Sequence, residues 1–594
     1  MKKLHKSDIL FVLAMLCILT MHLLCIYGAD HYADESFYPT IPLRLINGDS
    51  LVEDEWHVTQ FASLFTYIPV RIFLAIKGST EGIIVFLRYF YLVIHTGVSV
   101  GIYTFFRKHG IWAVAAALFY YSQVPLRFMS ANYHSILALG LLILTMCLLA
   151  LSEKERLQYY LIAGIAFGCC CVCNPFECIV FVLYLILCIV WKVKSKNTKK
   201  TKKNAATIEV KERFFGTPAF MKFTAGIAIT AVVSIIFFFA TGGKITSLIE
   251  NIPNLLTDGS HDIFTAPLEA FTEKLFTTAK HINTISLRLP FILPLYYITL
   301  LIDKKRRNHK GIYIGISFVL AIFFTVGVTI GALSHSRCLA ISLPLAILAT
   351  TAYILTENKN KKLFYCMWLP SAIATIIQYL ASDMHLSVMW TLIIGNIAGV
   401  FFIKDILCEL REDNKNTEKK KSIYKPCLAL LTIGICLQLT FQCTLYVIGR
   451  TVKSDYIKLQ TGPYAGLMLN EKATDTTQAM LQDMDIIKEM TYEDEPVLVI
   501  SEFSWMYLYL DRPFATYSAW QPYVETQRLR KYYRNNPSKT PEYIYVGWVY
   551  IPTSVSEEFY SDKERAGRTV DAISNIFKCN VQELSCGYLL KVKE

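Results

Sequence analysis

The chain has 594 residues, 54% of them hydrophobic and only 18% charged, with a mean hydropathy of +0.39. That balance excludes a soluble globular protein and indicates a polytopic membrane protein. The formal net charge of +12 calls for no nucleic acid, because loops on one side of a membrane collect Lys and Arg whatever the function.

Apolar runs fall at 8–28, 82–106, 111–124, 133–151, 158–173, 176–191, 219–241, 284–302, 312–333, 337–355, 364–381, 386–403 and 427–447. They predict a polytopic all-α membrane protein of about 13 transmembrane helices, several shorter than the usual ~20 residues, around Tyr121 and Asn174 above all. The first run starts like a signal peptide, but "CIYGADHYADE" offers no small-x-small cleavage site, and Leu24 precedes Cys25 where a lipoprotein signal needs a small residue. It is read as a retained span.

Basic residues occupy every second loop: Lys2, Lys3 and Lys6, then Arg107 and Lys108, Lys154 and Arg156, and seven lysines between Lys192 and Lys203. "DKKRRNHK" from Asp303, "KNKK" from Lys359 and "EKKK" from Glu418 continue the series. This alternation puts the N-terminus in the cytoplasm of a multi-pass cell-membrane protein and the intervening loops outside. The expected organisation is a transmembrane domain over 1–447, with an acidic outward loop at 29–81, and an extracytoplasmic domain over 448–594.

That loop opens "GADHYADESFYPTIPLRLINGDSLVEDEWHVTQ" from Gly28, with seven carboxylates (Asp30, Asp34, Glu35, Asp49, Glu53, Asp54, Glu55) and one Arg44. A carboxylate at a water–lipid boundary can serve as a general base. Further along, Arg88 and His95 inside the second run read as interhelical pairs more readily than as ligand donors, although ionisable groups at membrane depth lean towards function. Fifteen of the seventeen cysteines precede residue 448. The "CCCVC" at 169–173 reads as small apolar packing, with no histidine beside it to suggest a metal.

The C-terminal part reads as a small α/β domain. A helix is expected from Thr474, strands at "EPVLVIS" and at "EYIYVGWVYI" from Glu542, and a basic helix at "ETQRLRKYYRNN". Trp505, Trp520, Tyr523 and Trp548 read as core before ligand platform. Cys579 and Cys586, in "CNVQELSC", are either a hairpin disulfide or two buried thiols. The outward segments carry no N-x-S/T sequon, which fits a bacterial source.

The order Asp34-Glu35-x-x-Tyr38, Arg44, Gly48-Asp49, Gln60 and Pro69 resembles the integral-membrane glycosyltransferases of the GT-C fold. The resemblance is to the branch holding the protein O-mannosyltransferases and the lipid A aminoarabinose transferase, glycosyltransferase family 39. "PLRFMSANYHSILALGLLILTMCLLA" from Pro125, "GIAFGCCCVCNPF" from Gly164 and "SRCLAISLPLAIL" with Arg337 and Pro344 keep its register. The chain departs from the branch at Asn132, Tyr133 and His134, where relatives place an acidic residue, at Asn174 in place of Lys, and at Cys338 in place of Tyr.

The resemblance implies inverting transfer of a sugar from a polyprenyl-phosphate donor in the bilayer to a glycan, lipid or protein acceptor. Asp34 would be the base, Glu35 would orient it, and Asp49 would steady the loop. Tyr38 and His134 would line the substrate site, and Arg44, Arg127, Arg288 and Arg337 would meet the leaving phosphate. No cofactor is expected. A divalent cation on His57, His134 and His335 with Glu55 or Asp54 has no supporting spacing. Two rival readings are a transporter or flippase of lipid-linked saccharides, for which no pair of inverted halves is found, and a non-enzymatic membrane scaffold or sensor, which leaves the acidic loop unexplained.

Overall fold

The computed structural model describes residues 5–28, 34–125, 129–154, 156–180, 217–256, 289–306, 308–330, 337–381, 388–415, 456–550 and 559–593, with a few isolated positions besides. Eleven of the apolar runs coincide with described helices. They are α1 (Lys6–Cys25), α4 (Ile83–Phe106), α5 (Ile111–Ser122), α6 (Tyr133–Glu153), α7 (Leu157–Cys173), α8 (Thr217–Ala240), α10 (Leu289–Ile302), α11 (Lys310–Ile330), α12 (Arg337–Leu355), α13 (Leu369–Ala381, preceded by a π turn Phe364–Trp368) and α14 (Val388–Lys415). Six of the described helices are long and apolar enough to cross a membrane, and five apolar ones are shorter. The expected count of about 13 is therefore not reached among the described residues; the runs at 176–191 and 427–447 lie largely or wholly outside them.

Side chains explain how the bundle closes. Asp8 caps the first turn of α1 by accepting from His5 N at 2.8 Å, and it accepts from Arg107 Nη2 at 2.6 Å and Tyr103 Oη at 2.6 Å, so the start of α1 meets the end of α4. At the opposite end, His22 Nε2 of α1 and His95 Nε2 of α4 both contact the carbonyl of Tyr121 on α5, at 2.8 and 3.1 Å. Helices α7 and α8 cross so closely that a Cβ on Gly164 would lie 2.0 Å from Phe223 O, and one on Gly226 would lie 2.3 Å from Leu161 O. Small residues permit such backbone approach where lipid supplies no hydrophobic drive. Meanwhile Leu13 and Leu16 of α1 and Val232, Ile235 and Ile236 of α8 stay exposed, as lipid-facing residues do.

The acidic segment is not an open loop. It folds into α2 (Asp34–Ile46), a tight turn segment, and α3 (Ser63–Lys77), followed after α8 in the chain by α9 (Ile245–Leu256). Pro39 and Pro42 lie inside α2 and cannot donate to the carbonyls four residues earlier; between them, Thr40 Oγ1 donates to Ser36 O at 2.5 Å. Helix α9 exposes Ile245, Ile249 and Ile252 and buries Ser247, Asn251 and Asn254, the arrangement of a helix lying at an apolar boundary.

The C-terminal region contains β1 (Tyr456–Lys458), β2 (Met468–Asn470), α15 (Glu471–Met490), β3 (Val497–Ile500), α16 (Trp505–Leu510), α17 (Thr526–Asn535), β4 (Tyr543–Gly547), β5 (Val549–Tyr550), β6 (Tyr560–Ser561), α18 (Lys563–Ser574), β7 (Cys579–Glu583) and β8 (Gly587–Val592). The main sheet has the order β3-β4-β8-β7, with β3 and β4 parallel and the other pairs antiparallel. The parallel pair requires a crossover, which α16 and α17 supply.

Two local readings change, and one open alternative is decided. Helix α15 begins before Thr474, because the Asn470 side chain accepts from Ala473 N at 2.8 Å and caps it there. The expected strand from Glu542 breaks at Trp548, with β4 pairing β8 and β5 pairing β6. Cys579 and Cys586 are free thiols. The hairpin register sets Cys579 opposite Val592 at its open end and leaves Cys586 at its turn, a strand's length away.

The core of this region extends into the acidic segment. Phe37, Ile41, Leu51, Val52 and Trp56 belong to one buried cluster with Phe503, Phe514, Tyr517 and Tyr532. The link to the bundle is also direct: Met468 N donates to Tyr27 O at 2.7 Å and Gly82 N to Gly462 O at 3.1 Å.

Candidate active site

Helix α2 presents two functional faces, separated by the helical repeat. One carries Glu35, fully buried and held by Arg88 of α4. Arg88 Nε lies 3.0 Å from both Glu35 oxygens, Nη2 donates to Oε2, and Nη1 donates to the carbonyls of Ile26 and Gly28. A charge this deep requires a partner. The pair fixes the roll of α2 against both α1 and α4.

The other face carries Phe37, Tyr38 and Ile41, which line a cleft of about 250 Å³ opposite Asn132, Tyr133 and Ile136 at the start of α6. Asp34 heads α2, four residues before Tyr38. Its side chain lies outside the described residues, as do Arg127, Arg288, His335 and the side chain of Arg337.

The departures from the resemblance acquire physical roles here. Asn132 is the N-cap of α6, accepting from Ser135 N at 2.8 Å, a task for which Asn is as good as Asp. Asn174 caps the turn Pro175–Glu177 by accepting from Phe176 N at 3.1 Å. Cys338 is buried. His134 is buried too, its ring 3.8 Å from that of Tyr133 and stacked 4.7 Å from Trp390. Gln378 of α13 interacts with both His134 and Glu177. Thus buried polar groups from α6, α13 and the end of α7 gather beneath the cleft, and nothing in the spacing of Glu177 or Gln378 announces this in the sequence.

Arg44 lies on neither face of the cleft. It is fully buried between the acidic segment and the C-terminal region. Nε donates to Asp49 Oδ2 at 2.6 Å, Nη1 to Glu55 Oε2 at 3.0 Å, and Nη2 to Thr516 O and, at 3.1 Å, to Tyr532 Oη. Its guanidinium sits 5.2 Å from the Phe514 ring. Burial works against its charge, but Tyr532, Asp49, Glu55 and Asp54 outweigh burial and keep it protonated. Placed so, Arg44 ties two parts of the chain together, a different task from the expected contact with a leaving phosphate.

Among the described residues, the other acidic side chains of the segment are also committed. Asp49 accepts from Lys539 Nζ as well. Burial pushes the Glu55 carboxyl up, opposed by Arg44 and by the amides of Ala519, at 2.9 Å, and His57, at 3.1 Å. Asp54 Oδ2 accepts from Ser50 N at 2.7 Å, and Glu53 meets Lys244 at 3.0 Å. His57 bonds Thr59 at 2.8 Å, and its ring lies 4.9 Å from Phe37. Of the three histidines weighed for a cation, His57 has these partners, His134 sits against Trp390, and His335 lies outside the described residues.

No protein-family model matches the chain, and no curated protein matches it. Among solved structures it is similar to the archaeal oligosaccharyltransferase AglB from Archaeoglobus fulgidus in complex with an inhibitory peptide and a dolichol-phosphate. The identity is 11%, over 90% of this chain and 69% of that one, with a TM-score of 0.42. A likeness that distant carries no argument about the chemistry of the cleft.

Proposed function

We propose that this chain is a membrane glycosyltransferase of the GT-C type, moving a sugar from a polyprenyl-phosphate donor to an acceptor hydroxyl at the outer face of the membrane, with inversion. The observation that supports it best is the phase of α2. Glu35 is turned into the Arg88 pair while Tyr38 lines a cleft with the start of α6, and Asp34, four residues before Tyr38 in the sequence, is the carboxylate proposed to reach that cleft. The other described carboxylates of the segment are bound to internal partners, and Asp34 is proposed as the base on the strength of the resemblance.

In this mechanism Asp34 takes the acceptor's hydroxyl proton as its oxygen bonds to the anomeric carbon. The bond from that carbon to the phosphate oxygen breaks on the opposite face through an oxocarbenium-like state, and polyprenyl phosphate leaves. Arg127, Arg288 and Arg337 are the cations proposed to receive the phosphate. Glu35 acts as a positioning residue through Arg88, Asp49 steadies the segment through Arg44, and Tyr38 and His134 shape the substrate site.

The test is Asp34→Asn, which keeps size and removes proton acceptance. Transfer of labelled sugar from a polyprenyl-phosphate donor into envelope material should fall by roughly 10² or more at unchanged protein level. Glu53→Gln, which loosens the pair with the exposed Lys244 and can keep a hydrogen bond from Ser247, should cost little. Equal transfer by the parent and Asp34→Asn would remove the catalytic reading.

A further inference from the structure

The acidic segment has a second cavity behind it. Trp56 and His57 from that segment, with Tyr517, Trp520, Gln521 and Tyr523 from the C-terminal region, line an open pocket. The four aromatics singled out in the sequence divide here. Trp505 and Trp548 are core, whereas Trp520 is half-buried and Tyr523 is 40% exposed at the pocket. Trp56 and Tyr517, both buried, stack on each other with ring centroids 5.5 Å apart.

The polar groups select the ligand class. Gln521 is 3% exposed; its Oε1 accepts from Thr516, while its Nε2 donor has no hydrogen-bond partner in the fold. A buried amide donor left unmade is costly, and it lines this pocket. The cation there is Arg528, which lies 4.7 Å from the Tyr517 ring, 3.8 Å from Glu525, and donates to Asn254 O at 2.9 Å. With its charge offset by Glu525, the pocket suits a neutral polar ring better than a phosphate. Aromatic faces attract the C–H edges of a pyranose through their negative quadrupole, and an amide N–H meets its hydroxyls.

Position links the pocket to the cleft. His57 lines the pocket and packs on Phe37, which lines the cleft, and Thr59, bonded to His57, lines the cleft as well. The two cavities share this one wall. We propose that the aromatic pocket is a saccharide subsite that holds a pyranose unit of the acceptor glycan beside the transfer cleft. Naming that unit part of the acceptor rests on the glycosyltransferase reading; the binding itself does not.

The test is direct binding of the purified full chain, in detergent, to an array of bacterial cell-envelope oligosaccharides, with melting temperature as the check on folding. At least one oligosaccharide should bind, Trp520→Ala and Tyr523→Ala should each weaken it tenfold or more at unchanged melting temperature, and Glu53→Gln should bind like the parent. No glycan bound above background, equal binding by both aromatic variants, or displacement by inorganic phosphate would overturn the subsite. Binding intact while Asp34→Asn retains transfer would instead sink the catalytic reading and leave the subsite standing.

Discussion

Arg88 Nε sits 3.0 Å from each carboxylate oxygen of Glu35, with both side chains at or below 3% exposure. Removing one partner leaves a buried charge without its counterion. Glu35→Ala or Arg88→Ala should therefore destabilise the protein by about 3–5 kcal/mol, read as a lowered melting temperature in detergent. The double variant Glu35→Met with Arg88→Met should recover most of that loss. Failure to recover would mean that the pair supplies more than a fixed helix roll.

Arg44 separates two roles by one conservative change. Lys retains the charge but cannot reproduce a fork that reaches Asp49, Glu55, Thr516 and Tyr532 at once. Arg44→Lys should lower the melting temperature and expose the C-terminal region to protease. A variant as stable as the parent, with only the KM for donor raised, would return Arg44 to the phosphate.

Asp483 organises the β7–β8 turn, accepting from Ser585 N at 2.9 Å, Cys586 N at 2.7 Å and Tyr545 Oη at 3.1 Å. Asp483→Ala leaves these donors unmet in a buried site, at a cost of about 1–3 kcal/mol. Thermal melting of the variant measures it. An unchanged transition would show that solvent reaches the turn.

The thiols of the same hairpin offer a chemical check. Cys579 is half-buried and Cys586 is 6% exposed, so peptide mapping after native alkylation should find Cys579 modified first and Cys586 only after denaturation. A mass shift on reduction that maps to this peptide would establish a disulfide and contradict the register.

At the α7–α8 crossing, Gly164→Leu forces a side chain where even a Cβ would overlap Phe223 O. Folded protein should be lost, whereas Gly101→Leu, where a Cβ meets nothing within 4 Å, should be tolerated.

Apolar periodicity made the helices legible, because a span must be apolar over most of its length and that demand is local. The strands β3 and β4 and helix α17 were legible for a similar reason. What the sequence concealed was long-range. Nothing local marks Arg88 as the partner of Glu35, or Thr516 and Tyr532 as the partners of Arg44. The acidic segment looked solvated because carboxylates are usually solvated, and their burial depends on cations and amides supplied from other parts of the chain, Lys539 and Ala519 among them. Charge alternation along the loops gives no such pairing. The cleft depends on the phase of α2, which periodicity implies once Glu35 is known to face Arg88.

The Arg44 bond to Thr516 closes a separation of 472 residues. At ribosomal rates of ~5–20 residues per second, Arg44 and its carboxylates are made roughly 25–95 seconds before their C-terminal partners exist. Throughout that interval Trp56, Leu51 and Val52 have no core to enter, and the nascent chain carries an apolar and highly charged surface at once. The joint around Arg44 thus cannot close until Thr516 and Tyr532 have been made, so the acidic segment next to the first helix completes its folding only after the bundle's helices have been synthesised.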